Sequence, residues 1–213
     1  MTALARTTVD DEPMADSRRM VLDHAARLFR QQGYAAVSMR DIAAACGIKA
    51  GSLYYHFPSK EQIVTEVLDT GVDTVSTQVR QAVAALPEQA EFADRLRAAV
   101  GAHLHALLEL DDYTGANIRI FGHVPERVRA AVLAARRAYD QWWRDLLDAG
   151  EAAGAFAADA DLRLVRLFLL GAMNWSLEWH RPGHDLDAMA DHLTGLVLHG
   201  VAAPGPRRRP RKS

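Results

Sequence analysis

Two serines placed to cap helices, Ser38 and Ser59, frame the stretch that most restricts what this chain can fold into, SMRDIAAACGIKAGSLYYHFPSKEQI at 38–63. Ser38 precedes an apolar run, and Asp41, three residues on, can reach back to it in a capping box. Gly47 supplies the left-handed backbone that a sharp turn requires. A third helix of about 49–55 follows, with Leu53 and Phe57 at i, i+4 pinning it to a core. Ser59 and Gln62 form a second capping box for a long fourth helix reaching about residue 85. Two short helices across a turn, the second thin at its leading end, make the pattern of a helix-turn-helix reader of duplex DNA.

Elsewhere the apolar spacing stays helical, with no alternating strand run, hairpin dipeptide or repeat period. The expected class is therefore all-α, with about nine helices. The first spans roughly 16–32, turns Met20, Leu22, Ala25, Ala26, Leu28 and Phe29 inward, and stops at Gly33. After a break at Pro87 a fifth helix covers about 88–110, Asp111–Asn117 reads as a loop, and a short helix lies near 116–122. Pro125 suits the first turn of a helix over about 125–151, closed by Gly150 and Gly154. Helix eight covers about 159–180 and helix nine about 185–201. The expected organisation is a disordered leader at 1–15, a three-helix helix-turn-helix domain at 16–62, a helical effector-binding and dimerisation domain at 63–202, and a basic disordered tail at 203–213.

The formal net charge of −2 hides an asymmetry. Residues 17–60 carry seven Lys and Arg against two Asp, whereas residues 61–206 carry 12 basic and 21 acidic side chains. Local positive charge is what meets phosphate, so the N-terminal segment fits a nucleic-acid partner that the whole-chain balance would not suggest. The tail PGPRRRPRKS reads either as a solubilising end or as extra nonspecific phosphate affinity. Cys46 is the one cysteine, which excludes a disulfide framework or a cysteine metal cage. The N-terminus lacks an apolar run of signal-peptide length. The most apolar stretch, Leu162–Trp179, is interrupted by Arg163, Arg166, Asn174 and Glu178, against a membrane span. The expectation is a soluble, cytoplasmic protein with no membrane partner.

Each residue type in the reader has a physical reason. Ala50, Gly51 and Ser52 keep the leading face of the third helix thin enough to approach a major groove. Tyr54, Tyr55 and His56 can donate to phosphates or pack against sugar and thymine methyl groups. Ser38 and Lys60 sit at helix N-termini, where free backbone N–H groups favour an anion. Arg40, on the first turn of the second helix, suits a bidentate guanine contact.

SMRDIAAACGI at 38–48 and GSLYYHFPSKEQI at 51–63 together closely resemble the TetR family of bacterial transcriptional regulators, over about 45 residues. The remaining two thirds match that family in helical layout. The resemblance implies a homodimer whose two recognition helices lie about one DNA turn apart on a palindromic operator, with repression as the default outcome. It implies that Ser38, Arg40, Lys49, Gly51, Ser52, Tyr54, Tyr55, His56 and Lys60 lie at the DNA surface. Lys49 departs from the Ser or Ala common at that place; it cannot cap the third helix and is assigned to phosphate contact, with base contact as the alternative.

Helix eight is apolar nearly all round, so it needs cover on two faces. One face can meet its own domain; a second copy, or the middle of a monomeric bundle, would cover the other. For a dimer of the family's kind the interface residues are Leu167, Leu170 and Trp179 with Leu193, Leu196 and Val197 of helix nine. An effector pocket is expected among Asn117, Phe121, His123, Tyr139, Trp142, Trp143, Asn174 and Trp175, large aromatics with a few polar groups to orient a ligand. NWSLEWHRPGHDL at 174–186 resembles the C-terminal region of actinobacterial regulators of fatty-acid and sterol breakdown. That resemblance implies a small apolar effector, a fatty acyl-CoA or related CoA thioester, which loosens DNA binding.

Enzyme chemistry has little to stand on. His103 and His105 are two apart on a helix and do not share a face, and His180 and His184 have no evident third metal ligand. No metalloprotease motif, nucleophile elbow or glycine-rich phosphate loop occurs. Neither a metal nor a cofactor is expected.

Overall fold

The computed structural model describes residues 12–200, and every regular element among them is helical. In chain order these are α1 (Glu12–Gln32), α2 (Met39–Ala45), α3 (Ala50–His56), α4 (Lys60–Ala84), α5 (Phe92–His105), α6 (Asp112–Ile120), α7 (Glu126–Ala152), α8 (Leu162–Trp179) and α9 (Leu186–His199). A π-helical turn, Ala106–Leu110, continues α5, and a 3-10 turn, Phe121–His123, continues α6. No helix of the described residues is long and apolar enough to cross a membrane. The basic tail and most of the leader lie outside the described residues, although α1 starts at Glu12, ahead of the expected boundary.

Two sequence expectations are corrected. Asp111–Asn117 is not a loop: Asp111 is the N-cap of α6, its carboxylate accepting from the N–H groups of Tyr113 at 2.9 Å and Thr114 at 3.3 Å. Gly115, which suggested a loop, sits inside this helix because a Cβ there would stand 2.9 Å from Arg30 Nε. Close packing of helix on helix outweighs the roughly 1 kcal/mol that glycine costs in a helix interior. Likewise Gly150 does not close α7; it lies within the helix, where a Cβ would strike the Phe92 ring.

The chain packs as two compact units, and they do not follow a division at 62/63. Among the described residues, those up to Ser76 join Ala106–Tyr139 in the first, and Thr77–His105 join those from Asp140 onward in the second. The first is built on α1, with Val21, Ala25, Ala26 and Phe29 packed against Ile42, Leu53, Phe57, Ile63, Val67 and Leu68, and with Ala116, Ile120, Val128 and Val132 in the same core. The reader and α6 therefore share one apolar interior. Gly71 permits the crossing of α4 and α6, since a Cβ there would lie 2.5 Å from the Tyr113 carbonyl oxygen. Thr114 Oγ1 donates to the Gly71 carbonyl at 3.3 Å, and Tyr113 donates its hydroxyl to Asp23 of α1 at 2.7 Å. In the second unit Trp143, Leu96, Leu104, Leu147, Leu169 and Met173 are buried, and Arg97 of α5 pairs with Asp187 and Asp191 of α9.

Candidate DNA-reading surface and effector region

The reader forms locally as its sequence dictates. Ser38 is the N-cap of α2, and the Ser38–Asp41 capping box is complete, with Ser38 N–H donating to Asp41 at 2.8 Å. These bonds from Ser38 hold the Asp41 carboxyl below the usual carboxylate range. Gly47 turns the chain at φ 67°, and Lys49, in the N-cap position of α3, makes no side-chain cap. Leu53 and Phe57 are fully buried, which fixes the inner side of α3. Arg40, Lys49, Ala50, Gly51, Ser52, Tyr54 and Tyr55 are exposed, Tyr55 at 74%, and His56 is half-buried with its ring edge-on to Tyr55. Ser38 is exposed beside them. A small, polar and aromatic face thus rests on an apolar back, the arrangement a groove-entering helix needs.

Lys60 is used differently from the expectation that it meets phosphate. Its ammonium turns inward, donating to the carbonyls of Tyr34 at 3.0 Å and Val37 at 2.8 Å, and lies 4.0 Å above the Tyr34 ring. Burial lowers its pKa from the ordinary lysine range. Lys60 thereby ties the start of α4 to the turn that leads into Ser38. In the structure the Lys60 ammonium at this helix N-terminus acts as a clasp, taken up by two backbone carbonyls of the preceding turn.

One anchor of the reader has no signature in the sequence. Arg18 of α1 places its guanidinium 4.1 Å above the Phe57 ring, donates to the His56 carbonyl at 2.7 Å and pairs with Glu66 of α4. It satisfies an orphan carbonyl at the end of α3 and so fixes the helix's axis. Its positive charge was visible in the sequence; its partners, 38 to 48 positions away, were not.

The eight residues expected to line an effector pocket fall four in each unit. In the first, Asn117 is buried at 3% exposure with both ends of its amide engaged: Nδ2 donates to the Leu68 carbonyl at 2.6 Å and Oδ1 accepts from Arg136. Phe121 is half-buried beneath the Arg136 guanidinium, 3.8 Å from the ring centre; Tyr139 is half-buried and His123 exposed. In the second, Trp143 is fully buried and meets Trp142 edge-on at 5.4 Å between centroids. Asn174 Oδ1 lies 3.2 Å from His103 Nε2, which therefore carries the proton. Burial pushes the His103 imidazole down to about 4, against the opposing effect of that hydrogen bond, so it is neutral.

Trp175 stands apart from this set. It is 67% exposed and shares an outward stripe of α8 with Leu164, Leu167, Phe168 and Trp179, at helical spacings of three, four, seven and eight. Leu170, Leu193 and Val197 are half-buried and Leu196 is exposed. Beside the stripe runs an open apolar groove of about 810 Å3, lined by Leu104, by Met173, Ser176 and Trp179 of α8, and by Met189, Leu193 and Leu196 of α9. Within the single chain one face of α8 is core and the other is uncovered, so α8 is not the middle of a monomeric bundle.

Comparison with known proteins extends over nearly the whole chain. Residues 21–67 match the family model described as bacterial regulatory proteins, tetR family, and residues 89–201 match one described as tetracyclin repressor-like, C-terminal domain. The HTH-type transcriptional repressor KstR2 of Rhodococcus jostii is 32% identical over 203 residues, covering 92% of this chain and 96% of that protein. The solved structure of the ketosteroid transcriptional regulator KstR2 of Mycobacterium tuberculosis superposes with a TM-score of 0.72 at 27% identity, over 95% of this chain and 100% of that one. PfmR, a TetR family transcriptional regulator from Thermus thermophilus, gives 0.73 at 27% identity, over 86% and 99%.

Proposed function

Because the chain belongs to the TetR family of bacterial regulatory proteins and is a transcriptional repressor of the KstR2 type, we propose that it works as a homodimer that holds a palindromic operator through α3 and is released by an apolar acidic effector. The observation that carries the reading is the two-sided α3: Leu53 and Phe57 wholly buried, Ala50–Ser52 and the two tyrosines presented outward. In this reading Arg40 reads a base edge, Lys49, Tyr54, Tyr55 and His56 grip the strands, and Ser38 faces phosphate. The protein sits with its DNA in the cytoplasm.

The second copy covers the outward stripe of α8. Leu164, Leu167, Phe168, Trp175 and Trp179 form a contiguous apolar surface that a single soluble chain would not leave in water. A two-fold contact buries the same stripe on both copies at once. For the effector, the KstR2 likeness and the 174–186 segment favour a fatty or steroid-derived acid carried as a CoA thioester. Such a ligand acts only through its preference for a dimer whose two α3 helices no longer match the groove spacing.

Titrating the operator complex with fatty and steroid acyl-CoA thioesters tests the reading. Release at micromolar concentration by one of them is the expected result; retention of DNA against the whole panel would remove the acyl-CoA assignment.

A further inference from the structure

Several arginines withdrawn from water in this protein come with carboxylates. Arg166 has Asp140, Arg30 has Asp112 at 3.0 Å and Arg18 has Glu66. Arg136, on α7, is the exception within the first unit: it forms no ion pair with any described residue. Its polar partner is the neutral Oδ1 of Asn117, and its flat face lies 3.8 Å from the Phe121 ring centre. Burial lowers its pKa from the ordinary arginine range, because the charged form is partly desolvated. An arginine nonetheless stays charged at any pH a cell reaches. A guanidinium so placed favours an oxyanion far more than an amide, and its fork of donors fits carboxylate and phosphate alike.

We propose that Arg136 is the anion-recognition group of the effector site, taking a carboxylate or phosphate oxygen of the ligand in exchange for Asn117. This deepens the effector reading above and rests on it. The exchange has a mechanical consequence. The Asn117 amide holds the Leu68 carbonyl of α4 at 2.6 Å with its other end, and α4 begins at Lys60, the clasp on the turn before Ser38. Removing Arg136 from Oδ1 frees the amide to turn and loosens the tie between α6 and α4. Acidic ligands should therefore act where uncharged ones of equal shape do not.

The experiment follows the Arg136 Nε–H resonance in full-length protein carrying isotope-labelled arginine, assigned by its loss in Arg136→Lys. Decanoate, coenzyme A, decanoyl-CoA and decanol are titrated in turn, with operator release read on the same samples. A saturable shift with decanoate identifies a carboxylate as the bound group; one with coenzyme A and decanoyl-CoA identifies phosphate; decanol should give none. Arg136→Lys should bind the active anion at least tenfold more weakly. An unmoved resonance with every anion, or an equal shift with decanol, overturns the proposal. DNA release with Arg136 unmoved would spare the effector reading and reject this one, and movement without release would do the reverse. Should Arg136→Lys fail to fold, Asn117→Asp serves instead: it presents a carboxylate to Arg136 and lacks the donor to Leu68, so it should bind operator several-fold more weakly and ignore the anions. Wild-type behaviour in that variant also overturns the proposal.

Discussion

Arg18 and Phe57 hold the end of α3 in place: the guanidinium lies 4.1 Å above the ring while it also donates to the carbonyl of His56. Phe57 is the inner anchor of the recognition helix, so a residue on α1 sets the direction in which the outer face points. The placement of α3 thus depends on a side chain of another helix.

Arg18→Ala should lower the stability of the protein by about 1–3 kcal/mol, from a lost cation–π contact and a lost hydrogen bond to a charged group. The exposed part of the side chain keeps the Glu66 ion pair from adding much. Operator affinity should fall further than stability at a temperature where the variant is folded. Thermal unfolding and DNA titration, run side by side, check both.

Lys60→Met separates a clasp from a phosphate contact. The two carbonyls of Tyr34 and Val37 lose their donor, for a cost of about 1–3 kcal/mol in denaturant unfolding. The dependence of DNA affinity on salt should keep its slope. A slope reduced by about one unit would mean that Lys60 does meet phosphate.

Gly71→Ala should destabilise the protein although alanine is the better helix former by roughly 1 kcal/mol. The added Cβ would lie 2.5 Å from a backbone oxygen of α6, and overpacking of this kind costs about 1–3 kcal/mol. Loss of several degrees in Tm is the expected reading.

His103 predicts an acid dependence. The unfolded chain takes up a proton on this imidazole near pH 6.5, while the folded protein resists until about 4. The unfolded state therefore binds more protons in that window, so stability is complete above about 6.5 and falls as pH drops towards 4, by roughly 3 kcal/mol. His103→Gln, which can still donate to Asn174, should flatten the fall when Tm is followed from pH 7.5 to 4.5.

How much of this was legible in the sequence depends on the range of the interaction. The Ser38–Asp41 box, the turn at Gly47 and the burial of Leu53 and Phe57 were all readable, because each is decided within four residues. Asp111–Asn117 was misread because the glycine that signals a loop locally is there for Arg30, 85 positions earlier. The clasp made by Lys60 was hidden for a similar reason: helix-end position is visible in sequence, but the carbonyls that capture the amine are contributed by another turn. Trp175 was placed in the pocket by its aromatic neighbours, whereas its register with Phe168 and Trp179 puts it on the outward stripe. Nothing in the sequence set Arg136 apart from its neighbour Arg137, since what distinguishes it is that no described carboxylate pairs with it and Asn117 does.

The most direct test is a salt series of binding to the duplex upstream of the protein's own gene, with wild type, Arg40→Ala and Lys49→Ala. If α3 and the start of α2 enter the groove, Arg40→Ala weakens specific binding by about 1–3 kcal/mol and leaves nonspecific binding nearly intact. Lys49→Ala should weaken binding to all sequences and reduce the salt slope by about one. Affinity and slope that stay at wild-type values in both variants would contradict the account, because the exposed face of the reader would then not be the surface that meets DNA.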